Sequence, residues 1–455
     1  VKKTLKQIAN WLDVKNAQFE DTIVTGVSID TRTIKKGDLF IPFRGEKVNG
    51  HRYVEKAFEN GAAATVWVMG EPNPPKDVPV LFVEDSEIAL QEMARQYRNE
   101  HNAIFIGITG SNGKTSSKDI LASALSPYYK VQKTTGNFNN QLGLPITILS
   151  LDEDTEIAVL EMGMSGFGEI EFLSKLARPH YAVITNIGEA HLQDLGSREG
   201  IAKAKFEIIK GLDEHGVLFY DGDEPLLQNL VGKEPNLNVE SFGFNEDNSL
   251  VASNIVTTEK GSQFTVRGEL NGEFFIPVLG EHQVKNALNA MLISKSLGLR
   301  DDQIHFGIEQ AKLTDMRMQV IQSSSGILFI NDAYNAAPTS MTAAIQFIQT
   351  THMRSEKWLV LGDMLELGEN ERQFHEELAS VIDESKITKV CLFGNRMNWL
   401  YEKLQNKFAI ENLIHTNDDY EQIINYIKHH ASEESIILLK GSRGMKLETV
   451  LESFK

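Results

Sequence analysis

The sequence predicts an α/β protein of three domains. These are a small N-terminal α/β domain over 1–100, a central doubly wound and mostly parallel sheet with a phosphate loop over 101–313, and a C-terminal Rossmann-like α/β domain over 314–455. Three observations predict it. The 455 residues correspond to about three domains. From Ala103, and again from Val320, apolar β-type runs alternate with helical periods, the pattern of parallel strands joined by crossover helices. Between the first of these strands and the first of these helices stands a glycine-containing turn, Gly110-Ser111-Asn112-Gly113.

In the first domain the pattern predicts strands near Thr22–Ile29, Leu39–Pro42 and Ala64–Met69, with a helix near Tyr53–Asn60. Glu71-Pro72-Asn73-Pro74-Pro75 is a loop, since three prolines fit neither a helix interior nor a central strand. In the second domain strands are predicted at Ile104–Ile108, Ile157–Leu160, Ala182–Thr185 and Val217–Tyr220. Helices are predicted at Lys114–Leu125, Glu169–Ala177, Glu199–Leu212, Gln283–Leu297 and Asp301–Ala311, with an antiparallel β-rich insert over Leu250–Leu279. The third domain carries predicted strands Ile327–Ile330, Trp358–Leu361, Val390–Phe393 and Ile436–Leu439, and helices Thr339–Gln349, Arg372–Asp383 and Tyr420–His429.

Apolar residues at 41% and charged residues at 24% are ordinary globular usage. No apolar run reaches the roughly 18 residues of a membrane span, and Val1–Asp13 has no signal-peptide core. Cys391, the one cysteine, excludes an intrachain disulfide and a thiolate zinc cluster. A cytoplasmic protein is expected. A net charge of −18 disfavours nucleic-acid binding. Asp30–Lys56 departs from this balance, with seven Lys or Arg, Lys47 among them, against four acids, locally +3. It fits either a small anionic ligand or a solvated surface.

The run Ile104–Thr115 is the strongest local signal. A strand passes through a glycine turn into a helix, so that backbone N–H groups and the helix N-terminus face a phosphate. Lys114 would neutralise phosphate charge and Thr115 would offer a hydroxyl to Mg²⁺. Strict spacing wants glycine at Ile108; Gly107 and Gly110 flank it instead. Glu161 and His191 follow later strands of the same sheet, and ligands collect outside the carboxyl ends of such strands. Both suit Mg²⁺ or Mn²⁺ bound mainly through oxygen; taken singly, a surface carboxylate and a structural histidine are the alternatives. Lys205 is out of place: on a helix it falls within the apolar stripe of Ile201, Ile208, Ile209 and Leu212. A lysine there must be paired, neutral, modified, or snorkelling to the surface.

These segments resemble the Mur ligase family of ATP-dependent amide-forming enzymes, and within it the branch that adds D-alanyl-D-alanine. The resemblance is carried in order by Thr109-Gly-Ser-Asn-Gly-Lys-Thr115, Gly136-Asn-Phe-Asn-Asn140, Glu161-Met-Gly163 and Asn186-Ile-Gly-Glu-Ala-His191. It continues through Gly280-Glu-His-Gln-Val-Lys-Asn286, Asn331-Asp-Ala-Tyr-Asn-Ala-Ala-Pro338, Leu361-Gly-Asp-Met-Leu-Glu-Leu-Gly368 and Lys440-Gly-Ser-Arg443. It implies that the three domains bind a uridine nucleotide, ATP and the incoming dipeptide in turn. Thr109, Gly110, Ser111, Asn112, Gly113, Lys114, Thr115 and Ser116 would hold ATP, with Asn286 on adenine, Asp332 on ribose and Arg317 on phosphate. Ser28, Asp30, Arg32, Arg44, Asn49 and His51 would bind the uridine diphosphate, and Thr135, Asn137, Asn139 and Asn140 the sugar-peptide. Tyr334, Asn335 and Asp363 would serve the dipeptide.

The family's lysine carbamate would fall on Lys205. Two Mg²⁺ ions would then sit on Thr115 with Glu161, and on His191 with modified Lys205. The implied reaction forms an acyl phosphate from a UDP-N-acetylmuramoyl-tripeptide and joins it to D-alanyl-D-alanine, in peptidoglycan precursor synthesis by a monomer. Folylpolyglutamate synthase is the alternative within the fold; a nonenzymatic nucleotide-binding scaffold is the alternative outside it.

Overall fold

The computed structural model describes residues 1–14, 19–46, 48–189 and 191–455; Lys47 of the basic segment and Ala190 of the His191 motif lie outside them. In the N-terminal unit, strands Gly26–Ser28, Asp38–Phe40, Ala64–Val68 and Val80–Val83 form a parallel sheet in that order. The predicted strand Thr22–Ile29 divides in two. Ile23–Val24 pairs antiparallel with Lys3–Thr4, and Gly26–Ser28 joins the parallel sheet.

The central sheet has nine strands. From one edge the order is Gly272–Ile276, Gly261–Gly268, Leu250–Thr258, Val239–Gly243, Val217–Asp221, Tyr181–Ile184, Ile104–Thr109, Ile157–Glu161 and Val131–Lys133. The first three are antiparallel, as the alternating insert predicts, and the rest are parallel. The C-terminal sheet runs Gln319–Gln322, Leu328–Asn331, Ser435–Lys440, Glu356–Gly362, Lys389–Phe393, Leu413–Thr416, parallel apart from its first pair. No helix among the described residues is long and apolar enough to cross a membrane.

Helix Ser86–Glu100 has no counterpart in the sequence reading. Asp85 caps it by accepting from Ile88 N at 2.8 Å. Its buried face, Ala89, Leu90, Met93, Ala94 and Tyr97, follows helical spacing. Leu90 and Met93 share one core with Leu5, Leu39 and Val66 of the N-terminal unit and with Phe105, Leu160 and Ile184 of the central unit. The C-terminal unit has its own clusters on the two faces of its sheet.

The predicted helix Glu199–Leu212 needs correction. It is α-helical over Arg198–Phe206 and tightens into a 3-10 turn over Glu207–Gly211. The Ser174 hydroxyl donates to the Ile208 carbonyl, and Glu207 accepts from Gly168 N at 2.9 Å. These outside partners end the helix, so Ile209 and Leu212 are only half-buried while Ile201 and Lys205 are fully enclosed.

Candidate active site

The phosphate loop joins strand Ile104–Thr109 to helix Lys114–Leu125 at the carboxyl end of the sheet. Gly110 and Gly113 have φ of 148° and 78°, a region that favours glycine. A Cβ on Gly113 would also stand 2.7 Å from Asn286 Oδ1. Asn186 braces the loop: its carbonyl accepts from Ser111 N at 3.1 Å and its Oδ1 accepts from Asn112 N at 2.9 Å. Lys114 Nζ donates to the Gly110 carbonyl at 2.8 Å. Burial, and Arg317 nearby, lower the Lys114 pKa, while Glu161 opposes the shift.

Glu161 closes its strand 3% exposed. Its carboxylate accepts from Thr115 Oγ1 at 3.1 Å and from Asn139 Nδ2 at 3.0 Å, and Lys118 Nζ stands 3.6 Å away. Lys205 is wholly buried, and its Nζ has no hydrogen-bond partner among the described residues. Burial, then repulsion from Lys114, push its pKa well down. His191, at a left-handed φ of 66°, is likewise shifted down by burial and by Lys205 and Lys114. Lys114 thus acts on both Lys205 and His191, with Glu161 opposing at Lys114 and Glu366 and Asp194 opposing at His191, whose Nδ1 stands 3.9 Å from the Asp194 carboxylate.

The C-terminal unit completes the site. Arg317 donates to Thr115 Oγ1 at 3.3 Å, and its guanidinium lies 4.1 Å from the centroid of the Tyr334 ring. Asp332 accepts from Lys440 Nζ at 2.6 Å and from Met318 N at 3.1 Å. Asn112, Gly113, Ser116 and Asn286 of the central unit line one cavity with Arg317, Asp332, Asn335 and Lys440. Thr109 ends the strand, Gly110 and Ser111 lie in the loop, and Thr115 stands in the first turn of the helix.

Other expected contacts separate. Asn140 accepts from Leu142 N at 3.2 Å and Gly143 N at 2.8 Å where helix Gly143–Leu149 begins, while Thr135 and Asn137 stay exposed. In the N-terminal unit, the Ser28 hydroxyl donates to the Asp30 carbonyl, and Asp30 holds Arg32 through a 2.6 Å ion pair. Arg44 pairs with Glu71, which also accepts from Asn49 Nδ2 at 3.1 Å. His51 Nε2 accepts from Val68 N, which leaves Nδ1 to donate to Asn49 Oδ1 at 2.8 Å. The local charge excess is therefore smaller than the segment count: Glu71 lies outside the counted stretch and neutralises Arg44. Asp363 is 2% exposed; its Oδ1 accepts from Met397 N at 2.8 Å and its Oδ2 stands 3.8 Å from Arg396 Nη1.

Residues 23–98 match the Mur ligase family catalytic domain, 108–294 the Mur ligase middle domain and 316–443 the Mur ligase glutamate ligase domain. A UDP-N-acetylmuramoyl-tripeptide–D-alanyl-D-alanine ligase of Bacillus subtilis (strain 168) is 46% identical over 454 residues, 99% of this chain and 98% of that protein. The chain belongs to the Mur ligase family. Among solved structures, MurF from Acinetobacter baumannii superposes with a TM-score of 0.89 at 29% identity, covering 100% of this chain and 99% of that one. MurF ligase from Thermotoga maritima in complex with ADP gives 0.84 at 29% identity, covering 95% and 97%.

In this Mur ligase several side chains near the site received no individual role from the sequence. Lys118 and Asp119 lie one turn along the phosphate-loop helix and are buried; charged residues at the i+3 and i+4 positions from Thr115 were the available signal. His282 lines the cavity, and burial lowers it from the ordinary 6.5 to about 4. Lys440 was legible only as part of a motif, and Thr339 donates to Glu189 across the seam between the second and third units.

Proposed function

We propose that this Mur ligase joins D-alanyl-D-alanine to UDP-N-acetylmuramoyl-tripeptide, consuming ATP and releasing ADP and phosphate. The observation that carries the reading is the meeting of Glu161 with Arg317, a residue from beyond the central sheet, at the Thr115 hydroxyl, with Lys114 near enough to feel both charges. The named relative aligns across the whole chain and supplies the substrates.

The tripeptide's terminal carboxylate attacks the γ-phosphorus of ATP, ADP leaves, and an acyl phosphate forms. The amino group of the dipeptide attacks the acyl carbon, and phosphate departs in place of an oxide, which is a far poorer leaving group. Two anions must meet in the first step. Lys114 and Arg317 stabilise the charge spread over the transferring phosphoryl group. Asn139 holds Glu161 in place.

The donor set fits Mg²⁺ on the evidence of Lys205. A buried ammonium without an acceptor is costly, whereas a neutral amine can take up CO₂ and become an anionic oxygen ligand. That change also turns the repulsion of Lys205 towards Lys114 and His191 into attraction. Thr115 with Glu161 would hold one ion, and His191 with carbamylated Lys205 the other; bound there, Mg²⁺ would screen the two reacting anions. The cavity is completed within one chain, which suits a monomer. The reaction belongs in the cytoplasm, where it supplies wall precursor for cell shape and division.

The test is phosphate release from ATP and Mg²⁺ with UDP-N-acetylmuramoyl-tripeptide, with and without D-alanyl-D-alanine. A product heavier by the dipeptide, formed only with both acceptors, is expected. Glutamate addition to folate instead, or ATP binding without turnover, would overturn the reading.

A further inference from the structure

Asp119 is a fully buried carboxylate one helical turn beyond Thr115, and none of the chemistry above uses it. Its Oδ1 accepts from Lys133 Nζ at 2.6 Å, and Lys118 Nζ stands 3.9 Å away. Its Oδ2 accepts twice from Thr314, from the backbone N at 2.8 Å and from Oγ1 at 2.7 Å. Every group facing it is a donor, so only an acceptor satisfies them all.

Each partner leads to a different part of the site. Lys133 ends the edge strand Val131–Lys133, and the next residue, Thr134, accepts Glu161 N at 2.9 Å. Thr314 stands in the connection between helix Asp301–Glu309 and strand Gln319–Gln322, which enters the C-terminal unit. Three residues on, Arg317 reaches Thr115 Oγ1. It stands between Met316 and Met318, at φ of 64° and 49°, conformations uncommon for non-glycine residues. Thr115 and Asp119, at i and i+4, thus present one helix face to Thr314 and Arg317 of the connection.

We infer that Asp119 is a positioning residue for the ligase reaction. By clamping Thr314 to the phosphate-loop helix it fixes the point from which the C-terminal unit departs, and so aims Arg317 at the nucleotide. Lys133 neutralises the carboxylate and ties the same clamp to the strand that precedes the Asn137–Asn140 loop. The inference rests on the ligase reading above and adds to it the residue that sets the relation between nucleotide and third unit.

The test combines turnover with a distance measurement. Cys391 is buried, so dyes can be placed at exposed positions through Lys233→Cys and Glu421→Cys, one on each side of the connection. Energy transfer is then recorded with and without ADP. Asp119→Asn puts an amide donor against a donor; Thr314→Val removes one hydroxyl and leaves the core untouched. Both are expected to broaden the distance distribution and to lower kcat by about tenfold to a hundredfold, the scale of a misplaced reacting group. The KM for ATP should stay within about threefold, since the loop that binds it is intact. Thr314→Ser should restore both readouts.

An unchanged distribution and kcat in both variants would overturn the inference. So would losses in kcat and KM that track melting temperature and are not recovered by serine. A wild-type protein without turnover would strike the ligase reading alone, because the distance readout does not depend on it.

Discussion

Leu5, Leu39, Leu90 and Met93 on one side and Phe105, Leu160 and Ile184 on the other form a single apolar cluster between the N-terminal unit and the central sheet. Arg98 adds hydrogen bonds to the Ala177 and Arg178 carbonyls, at 2.6 and 2.9 Å. Between the central sheet and the C-terminal unit the joins are of another kind. Thr314 meets Asp119, Arg317 meets Thr115, Thr339 meets Glu189 and Arg354 meets Glu259, while Leu279 is the central residue that enters the C-terminal cluster. An apolar seam is non-directional and favours one dry arrangement. A polar seam exchanges partners with water at a small net cost per bond. The first two units are therefore expected to move as one body, with the reacting groups at the seam better able to readjust.

The comparison can be broken at the polar seam first. Lys205→Ala is expected to lose turnover completely yet melt as the parent does. Acetate or formate should partly restore it by filling the carbamate's place; full activity without additive would return Lys205 to the role of a plain core residue. Lys114→Ala should lose about 2.7–4 kcal/mol of transition-state stabilisation, read from kcat/KM, again without loss of fold.

At the apolar seam the expectation reverses. Leu90→Ala should cost about 2–5 kcal/mol of stability, and scanning calorimetry should show the first two units still melting together. Two separated transitions would contradict the single-body picture.

Acid separates the seams more gently. Burial lowers His282, on the cavity between units, from 6.5 to about 4. The unfolded chain takes up this proton first, so stability should fall as pH drops from about 6.5 towards 4 and level off below, a window set by linkage. His282→Gln should flatten that part of the profile. The smallest effect belongs to Thr339→Val, which removes one exposed hydrogen bond to Glu189. It is expected to change stability by about 1 kcal/mol or less, measured by urea titration.

How much of this was legible follows the range of the interactions. Helices Lys114–Leu125 and Glu169–Ala177 match their predicted bounds, because local periodicity and glycine turns define them. The phosphate loop and the convergence of Glu161 on it were readable from strand ends alone. Lys205 was visible as an anomaly through its stripe, though the stripe itself is broken where Ser174 and Glu207 reach in from distant segments. The pairing of Arg44 with Glu71 and the enclosure of Asp363 lay beyond the sequence, since each depends on a partner brought near only by the fold. Asp119 received no role from the sequence alone; its partner Thr314 is nearly two hundred residues away.

Lys114 ties one of its three N–H donors to the Gly110 carbonyl of its own loop, which holds the ammonium in place with two donors left for a phosphate. A single orthophosphate reaches few of the loop's N–H groups; a polyphosphate chain engages many at once. The loop is therefore expected to prefer the incoming nucleotide over the inorganic phosphate each turnover releases, so that added phosphate inhibits turnover only weakly.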